Sequence, residues 1–331
     1  MVAGVSLAAA VLFAALGQAG QVGTEASLAG LPAVLQNSEN GQSSARAYDA
    51  YPAAFSFSAA FGTFGLESQT QARQVLVAIL DTGIDAKHPD LAGKITGEKN
   101  FSASGNTEDR NGHGTHVAGI IAASRNSQAG VSGIAPNSRL LNVKVADDHG
   151  LCNESNVARA IVWAVDNGAS VINVSLELRD PSYALEQAID YAWDHGALVV
   201  AAAGNEGSSR PVYPAFYENA LAVSATSAGQ LAPLSNYGDW VDVAAPGYQT
   251  YSTLPDNGYG YESGTSFAAA HVSGLAALLF SMVTDTNGDG RLNDEVRSLI
   301  EGSALPAAAL ATVHGQIDFA GTLSLAAGMS N

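Results

Sequence analysis

Basic residues are scarce in this chain. Its 331 residues hold 14 Lys plus Arg against 31 Asp plus Glu, a formal net charge of −17. Nucleic acid is excluded as a partner on that ground, because binding a phosphate backbone takes a basic face. The acidity itself reads as a well-solvated surface. Cysteine is scarcer still: Cys152 stands alone, so no disulfide can form within the chain. No glycine-rich phosphate loop follows the first apolar run at 75–80, which excludes a nucleotide-binding α/β protein. Internal repeats are missing. So is any stretch suited to a stable membrane anchor, apart from an apolar run at 266–283 that reads as a buried core helix.

What is present begins with a small, apolar N-terminus. Residues 2–16 are too short to span a bilayer comfortably, and Gly17-Gln18-Ala19 follows as a small-x-small cleavage signal. Residues 1–19 therefore read as a signal peptide, although no Lys or Arg precedes the run. The expected location is outside the cytoplasm, extracellular or periplasmic. Residues 20–68 are rich in Ala, Gly, Ser and Gln, the composition of a linker, short pro-segment or N-terminal arm. Tyr48, Tyr51, Phe55, Phe57, Phe61 and Phe64 give the end of that arm something to pack.

From 69 to 331 the chain alternates. Nearly continuous apolar runs at 75–80, 140–145, 170–176, 197–203, 221–224 and 241–244 read as buried parallel strands. Helical patterns lie between and after them at 113–123, 155–167, 184–195 and 266–283. The expected fold class is α/β: a doubly wound, mostly parallel sheet with helices on both faces. In such sheets a site forms at the carboxyl ends of the strands. Asp81 ends the first run and Asn205 follows the fourth, so both arrive on one edge. One copy is expected to act alone, as a monomer.

Three short segments carry the chemistry. They are Asp81-Thr82-Gly83, Gly112-His113-Gly114-Thr115-His116 and Gly264-Thr265-Ser266-Phe267-Ala268. An acid, an imidazole and a hydroxyl each sit beside glycine. A serine hydroxyl is a weak nucleophile at neutral pH and needs a base. The base needs an anion to hold its tautomer. Asp81, His113 and Ser266 supply that set. Ser266 heads a helix that is apolar all round, so backbone N–H groups and the positive dipole end point at its hydroxyl. His116, one turn after His113, reads as a hydrogen-bonded core histidine. A His-x-x-His metal pair is the rival, but it lacks a third ligand and a nearby glutamate.

The order Asp, His, Ser and the flanking residues resemble the subtilisin-like serine proteases. The resemblance runs from about Gln74 to Val283, with a fainter match at Gly315-Gln316-Ile317-Asp318. It implies a secreted endopeptidase acting on peptides and proteins through an acyl-enzyme at Ser266. It implies that Asn205 donates to the oxyanion. It also implies that Gly150, Ser175, Leu176, Glu177 and Gly204 line the substrate. Cys152 lies in that stretch after Gly150 and reads as an inert small residue rather than a reactive thiol. Two positions depart from the family. Ala270 stands where proline is usual, which opens ligation or cyclisation as a rival outcome. Glu177 replaces the usual glycine beside the pocket for the residue preceding the scissile bond, and so points to a preference for Lys or Arg there. A non-enzymatic scaffold is a further rival, opposed by the intact set of Asp81, His113, Ser266 and Asn205.

Calcium is the expected cofactor, in a structural role. Residues 285–295 follow an EF-hand-type spacing: oxygens at Asp285, Asn287 and Asp289, a glycine turn, then the Arg291 carbonyl. The twelfth position is Val296, so Glu295 or Asp294 would have to supply the last carboxylate. The family resemblance implies a second site at Asp90 and Asn126.

Overall fold

The computed structural model describes residues 73–124 and 130–329, together with a two-residue strand, Val5–Ser6, that pairs antiparallel with Leu151–Cys152. The expected signal peptide, the arm at 20–68 and Asn126 otherwise lie outside the described residues.

Ten strands and six helices carry the argument. The main strands are β1 (Leu76–Asp81), β2 (Ile95–Asn100), β3 (Arg139–Lys144), β4 (Val171–Val174), β5 (Leu198–Ala202), β6 (Ala220–Ser227), β7 (Val243–Pro246), β8 (Thr250–Leu254), β9 (Gly258–Glu262) and β10 (Gly315–Gln316). The helices are α1 (His113–Ala122), α2 (Glu154–Asp166), α3 (Tyr183–Asp194), α4 (Thr265–Met282), α5 (Asn293–Ser303) and α6 (Phe319–Met329). Eight strands form one parallel path in the order β10-β7-β6-β5-β4-β1-β3-β2. From β1 the chain crosses to the edge strand β2, returns to β3 beside β1, and then winds out the other way from β4 to β10. Its topological switch therefore lies beside β1, where a crevice opens at the strand ends.

The core follows from strand periodicity. Val77 and Ile79 of β1 join the cluster that holds α1, α4, α5 and α6. Ala78 and Leu80 join the opposite cluster, with α2 and α3. β5 divides the same way: Leu198, Val200 and Ala202 face one side, Val199 and Ala201 the other. A strand covered on both faces must be apolar at every position, which is why these runs lack alternation. α4 lies within the first cluster, buried continuously from Thr265 to Phe280. Among the described residues it is the one helix long and apolar enough to cross a membrane, and 89% of it is buried inside the protein. It is a core helix, as its composition predicts.

Two features escaped the apolar-run reading. β2 is an edge strand of mixed exposure with the sequence Ile-Thr-Gly-Glu-Lys-Asn, so half-exposure hides it. The antiparallel hairpin of β8 and β9 is similarly polar. This hairpin is clamped to α1. Ser252 Oγ donates to the His116 carbonyl at 2.8 Å, and Thr253 Oγ1 donates to the Thr115 carbonyl at 2.7 Å. Gly119 allows that approach: a Cβ there would stand 2.3 Å from both hydroxyl oxygens. Replacing Gly119 with Ala is expected to lower stability by about 1–3 kcal/mol, as overpacking does. Urea unfolding followed by circular dichroism measures it, and an unchanged midpoint would contradict this account of the clamp.

Candidate active site

Asp81 closes β1 and is fully buried. An unpaired carboxylate there would be costly. It is paired: Asp81 Oδ1 lies 2.8 Å from His113 Nδ1 and accepts the Thr82 amide at 2.7 Å. His113 is the first residue of α1. The helix begins on Gly112, whose φ of 104° lies in the left-handed region that glycine favours. Gly114 has no side chain for a reason of space, since a Cβ would meet the Gly83 carbonyl at 2.1 Å.

A residue overlooked in the sequence holds this corner. Asp109 Oδ1 accepts from the amides of Asn111 and Gly112 and from Thr82 Oγ1, at 2.8–3.1 Å. Its Oδ2 accepts from the Thr115 amide and hydroxyl at 2.9 and 2.6 Å. The carboxylate thereby caps the start of α1 from outside the helix and aims His113. The sequence offered a hint, an Asp four residues ahead of a histidine in a glycine-bracketed turn.

Ser266 is the second residue of α4 and is buried. Its carbonyl accepts from Ser175 Oγ at 3.1 Å, and Ser175 in turn accepts from Asn173 Nδ2 at 2.9 Å. Phe267 follows and lays its ring 5.4 Å from that of His113 and 4.6 Å from that of His116. Chain positions 113 and 266 are thus brought to one place. Ser266 Oγ and His113 Nε2 are both buried with no hydrogen-bond partner within the protein. Nucleophile–base bonds often tighten only once substrate is present.

Asn205 stands beside the N-terminus of α4. Its Oδ1 accepts from the Thr265 amide at 2.8 Å and from Thr265 Oγ1 at 3.2 Å. Thr265 Oγ1 also accepts the Gly204 amide at 3.0 Å. With Oδ1 taken, Nδ2 is the free end of the side chain, buried and without a partner. The Asn205 backbone amide donates to Glu177 Oε2 at 3.2 Å. Gly204, at φ 96°, lies against the same oxygen, and a Cβ there would stand 2.8 Å away. Leu176 is buried beside this wall, while Gly150 takes a left-handed φ of 79° just before exposed Leu151.

Electrostatics separate these groups. Burial alone would lower the imidazole pKa of His113. The charge and hydrogen bond of Asp81, with Glu262 and Asp109 behind them, outweigh it and hold the pKa above its ordinary value. His116 contrasts: burial pushes it down to about 3, so it stays neutral. Its Nε2 meets the Gly260 carbonyl at 3.3 Å, the core role expected of it. Burial pushes the Cys152 thiol up to about 12, which leaves it the inert small residue that was expected. Burial likewise raises the carboxyls of Glu177 and Glu262.

The expected metal residues behave differently. Asp285 accepts the amides of Gly288 and Gly290, Asn287 accepts that of Asp289, and Asp289 accepts that of Arg291, at 2.6–2.8 Å. The loop closes on itself, and the Arg291 guanidinium holds Asp289 Oδ2 at 2.8 Å. Glu295 Oε1 accepts from the Thr286 amide and hydroxyl. Its Oε2 and Asp294 Oδ1 are buried, and the two carboxyls lie against each other. Among the described residues no three His, Cys, Asp or Glu side chains converge to hold a metal. Asp90 Oδ2 is taken by the Val131 amide and Tyr259 Oη, at 3.2 and 2.8 Å.

The subtilase family profile matches residues 72–319, three quarters of the chain. This chain belongs to the subtilase family. Curated relatives agree. The thermophilic serine proteinase of a Bacillus species is 49% identical over 230 residues, covering 69% of this chain and 56% of that protein. Thermitase of Thermoactinomyces vulgaris is 46% identical over 230 residues, covering 69% and 80%. The subtilase chain thus spans little more than half the length of some relatives. Among solved structures, a mutant of the protease domain of PatA superposes with a TM-score of 0.68 at 32% identity, covering 78% of this chain and 98% of that one. A protease from Pseudoalteromonas arctica gives 0.70 at 29% identity, covering 80% and 93%. The three-layer α/β subtilase fold expected from the sequence is the one observed.

Proposed function

We propose that this subtilase is a secreted serine endopeptidase in which Asp81, His113 and Ser266 form the triad. One observation carries the reading. Ser266 Oγ, His113 Nε2 and Asn205 Nδ2 are three buried polar atoms without partners, gathered around the N-terminus of α4. Buried polar atoms are ordinarily satisfied, so a reacting group that supplies the missing partners accounts for all three.

The steps follow from the positions. Ser266 Oγ attacks the peptide carbonyl carbon and its proton passes to His113 Nε2. Asp81 holds the other ring nitrogen and stabilises the imidazolium. Asn205 Nδ2 and the backbone N–H at Ser266 receive the oxyanion. His113 then protonates the leaving amine, whose bond to carbon breaks. Water repeats the cycle to free the acid. Protonation of His113 beforehand removes the base, so its raised pKa places the acid limit of activity above that of a free imidazole. The extended substrate runs along Leu176 and along the 151–152 edge, which accepts an antiparallel strand.

Glu177 marks the wall on the acyl side. Its carboxylate lies at the Asn205 amide and beside Gly204, within reach of the residue preceding the scissile bond. Calcium is proposed for the loop at 285–295. Its donors are hard oxygens at EF-hand-type spacing, and the Asp294 and Glu295 carboxyls lie against each other, a pairing that a cation would relieve. Asp285, Asn287 and Asp289 would complete the set, and the ion would brace the entry to α5. It takes no part in the reaction. Secretion is supported by the apolar stretch before Gly17-Gln18-Ala19.

A fluorophosphonate probe should label the purified enzyme and fail to label Ser266→Ala; labelling of both would refute the nucleophile assignment. Asn205→Ala should lower kcat by roughly 10²–10³, the range that loss of this donor produces in subtilisin, with KM little changed. In a fluorogenic panel varying the residue before the scissile bond, the Arg/Phe ratio of kcat/KM should drop in Glu177→Gly. An unmoved ratio removes Glu177 from specificity. Excess chelator should lower Tm and protease resistance, and added calcium should restore both. An identical melting curve in either condition eliminates the bound ion.

A further inference from the structure

Glu262 is a half-buried carboxylate that the triad mechanism does not use. It ends β9, four residues before Ser266. Its Oε2 is buried with no hydrogen-bond partner. The charged groups that act on it are His113, Asp81 and Asp109, and no Lys or Arg is among them. Burial and the charges of Asp81 and Asp109 disfavour the anion, and of these groups only His113 favours it, so a further cation would stabilise it.

Its side of the cleft is set by contacts already described. The β8–β9 hairpin is fastened to α1 through Ser252, Thr253 and the Gly260 carbonyl. Glu262 therefore stands on the imidazole side of Ser266. Asn205 and Glu177 form a separate wall, tied to Thr265 and to each other. His113 delivers a proton to the departing amine, so the fragment that leaves passes on the imidazole side.

We propose that Glu262 is a specificity residue for the leaving fragment, taking the cationic side chain of a Lys or Arg at one of the first two positions after the scissile bond. This inference rests on the endopeptidase reading. It is separate from the role given to Glu177, which concerns the acyl half. A guanidinium fits well, since it can meet a carboxylate through two parallel N–H bonds. The ion pair forms within the cleft, where the dielectric is lower than in bulk water.

The test uses internally quenched peptides with one acyl half and Arg, Lys, Leu or Glu at each leaving-side position in turn. A p-nitroanilide of the same acyl half, which carries no leaving-side residue, runs in parallel. The wild-type enzyme should prefer Arg or Lys over Leu by at least about fivefold in kcat/KM at one of these positions, the size of a modest ion pair. Glu262→Gln should bring that ratio close to one, and Glu262→Arg should reverse it in favour of Glu. Raising salt to about 1 M should shrink the wild-type preference without any variant, because screening weakens the pair. Equal ratios in wild type and Glu262→Gln, with p-nitroanilide hydrolysis still measurable in both, overturn this inference alone. Failure of the wild-type enzyme to hydrolyse either substrate overturns the endopeptidase reading, and this inference with it.

Discussion

The contact between Asp81 and His113 governs the rest of the structure. A carboxylate with no solvent exposure and an imidazole with almost none are stable only together. Holding them 2.8 Å apart requires the end of β1 and the start of α1 to meet at a fixed angle. Three devices set that angle. Gly83 and Gly114 let the backbones approach, Asp109 ties the preceding loop to the helix, and the β8–β9 hairpin braces the helix from outside. Each would be a local liability elsewhere: a strained glycine, a buried charge, a polar strand. Here each serves a single distance.

The second constraint is the buried helix that carries Ser266. α4 is apolar almost throughout, so the core fixes its position with little help from surface contacts. Its N-terminus opens at the strand ends, where Gly264 brings no capping side chain of its own and, of the first backbone amides, Asn205 Oδ1 takes only that of Thr265. Uncapped amides are ordinarily a weakness of a helix. Under the proposed mechanism the amide left free here would supply a donor for a developing negative charge. Ala270 leaves the helix continuous from Thr265 to Met282, so the missing proline does not interrupt it.

How much of this was legible depended on burial. The central strands and α1–α4 were found to within a residue or two at most ends because full burial forces unbroken apolar runs. β6 runs three residues past its expected end through Ala225, Thr226 and Ser227, where polarity hides the ladder. β2 and the hairpin were invisible for the same reason. Among site residues, the glycine-bracketed motifs exposed Asp81, His113 and Ser266 because close backbone approach leaves a sequence trace. Asp109 left only its place four residues ahead of His113, and Glu262 left none. A lone acidic residue in a turn or at a strand end looks like surface until folding shows what it faces. The acidic loop at 285–295 shows the converse. Its spacing is regular, yet its side chains satisfy its own amides, because Asx turns and cation ligation call for the same residues.

The distribution of charge in the cleft bears on what can enter it. Glu177 lies against Asn205 and Glu262 ends β9, and burial raises the pKa of both. Neither forms an ion pair with a Lys or Arg: Arg179, whose charge acts on Glu177, pairs with Glu206 at 2.7 Å. An acidic exterior adds to the same field, with a net charge of −17. In the proposed roles, an extended substrate crossing this cleft would meet one carboxylate on each side of the bond to be cut. Its own acidic residues would raise the cost of binding at both, and its basic ones would lower it. The carboxylate nearer the imidazole has a further effect. Under the proposed mechanism its negative charge would favour the imidazolium, so one side chain would both attract the leaving fragment's cation and steady the base. When that cation arrives, it draws field away from His113 and returns part of the control to Asp81. Under that proposal substrate choice and base strength would be coupled through a single residue, and the coupling would follow from where β9 ends.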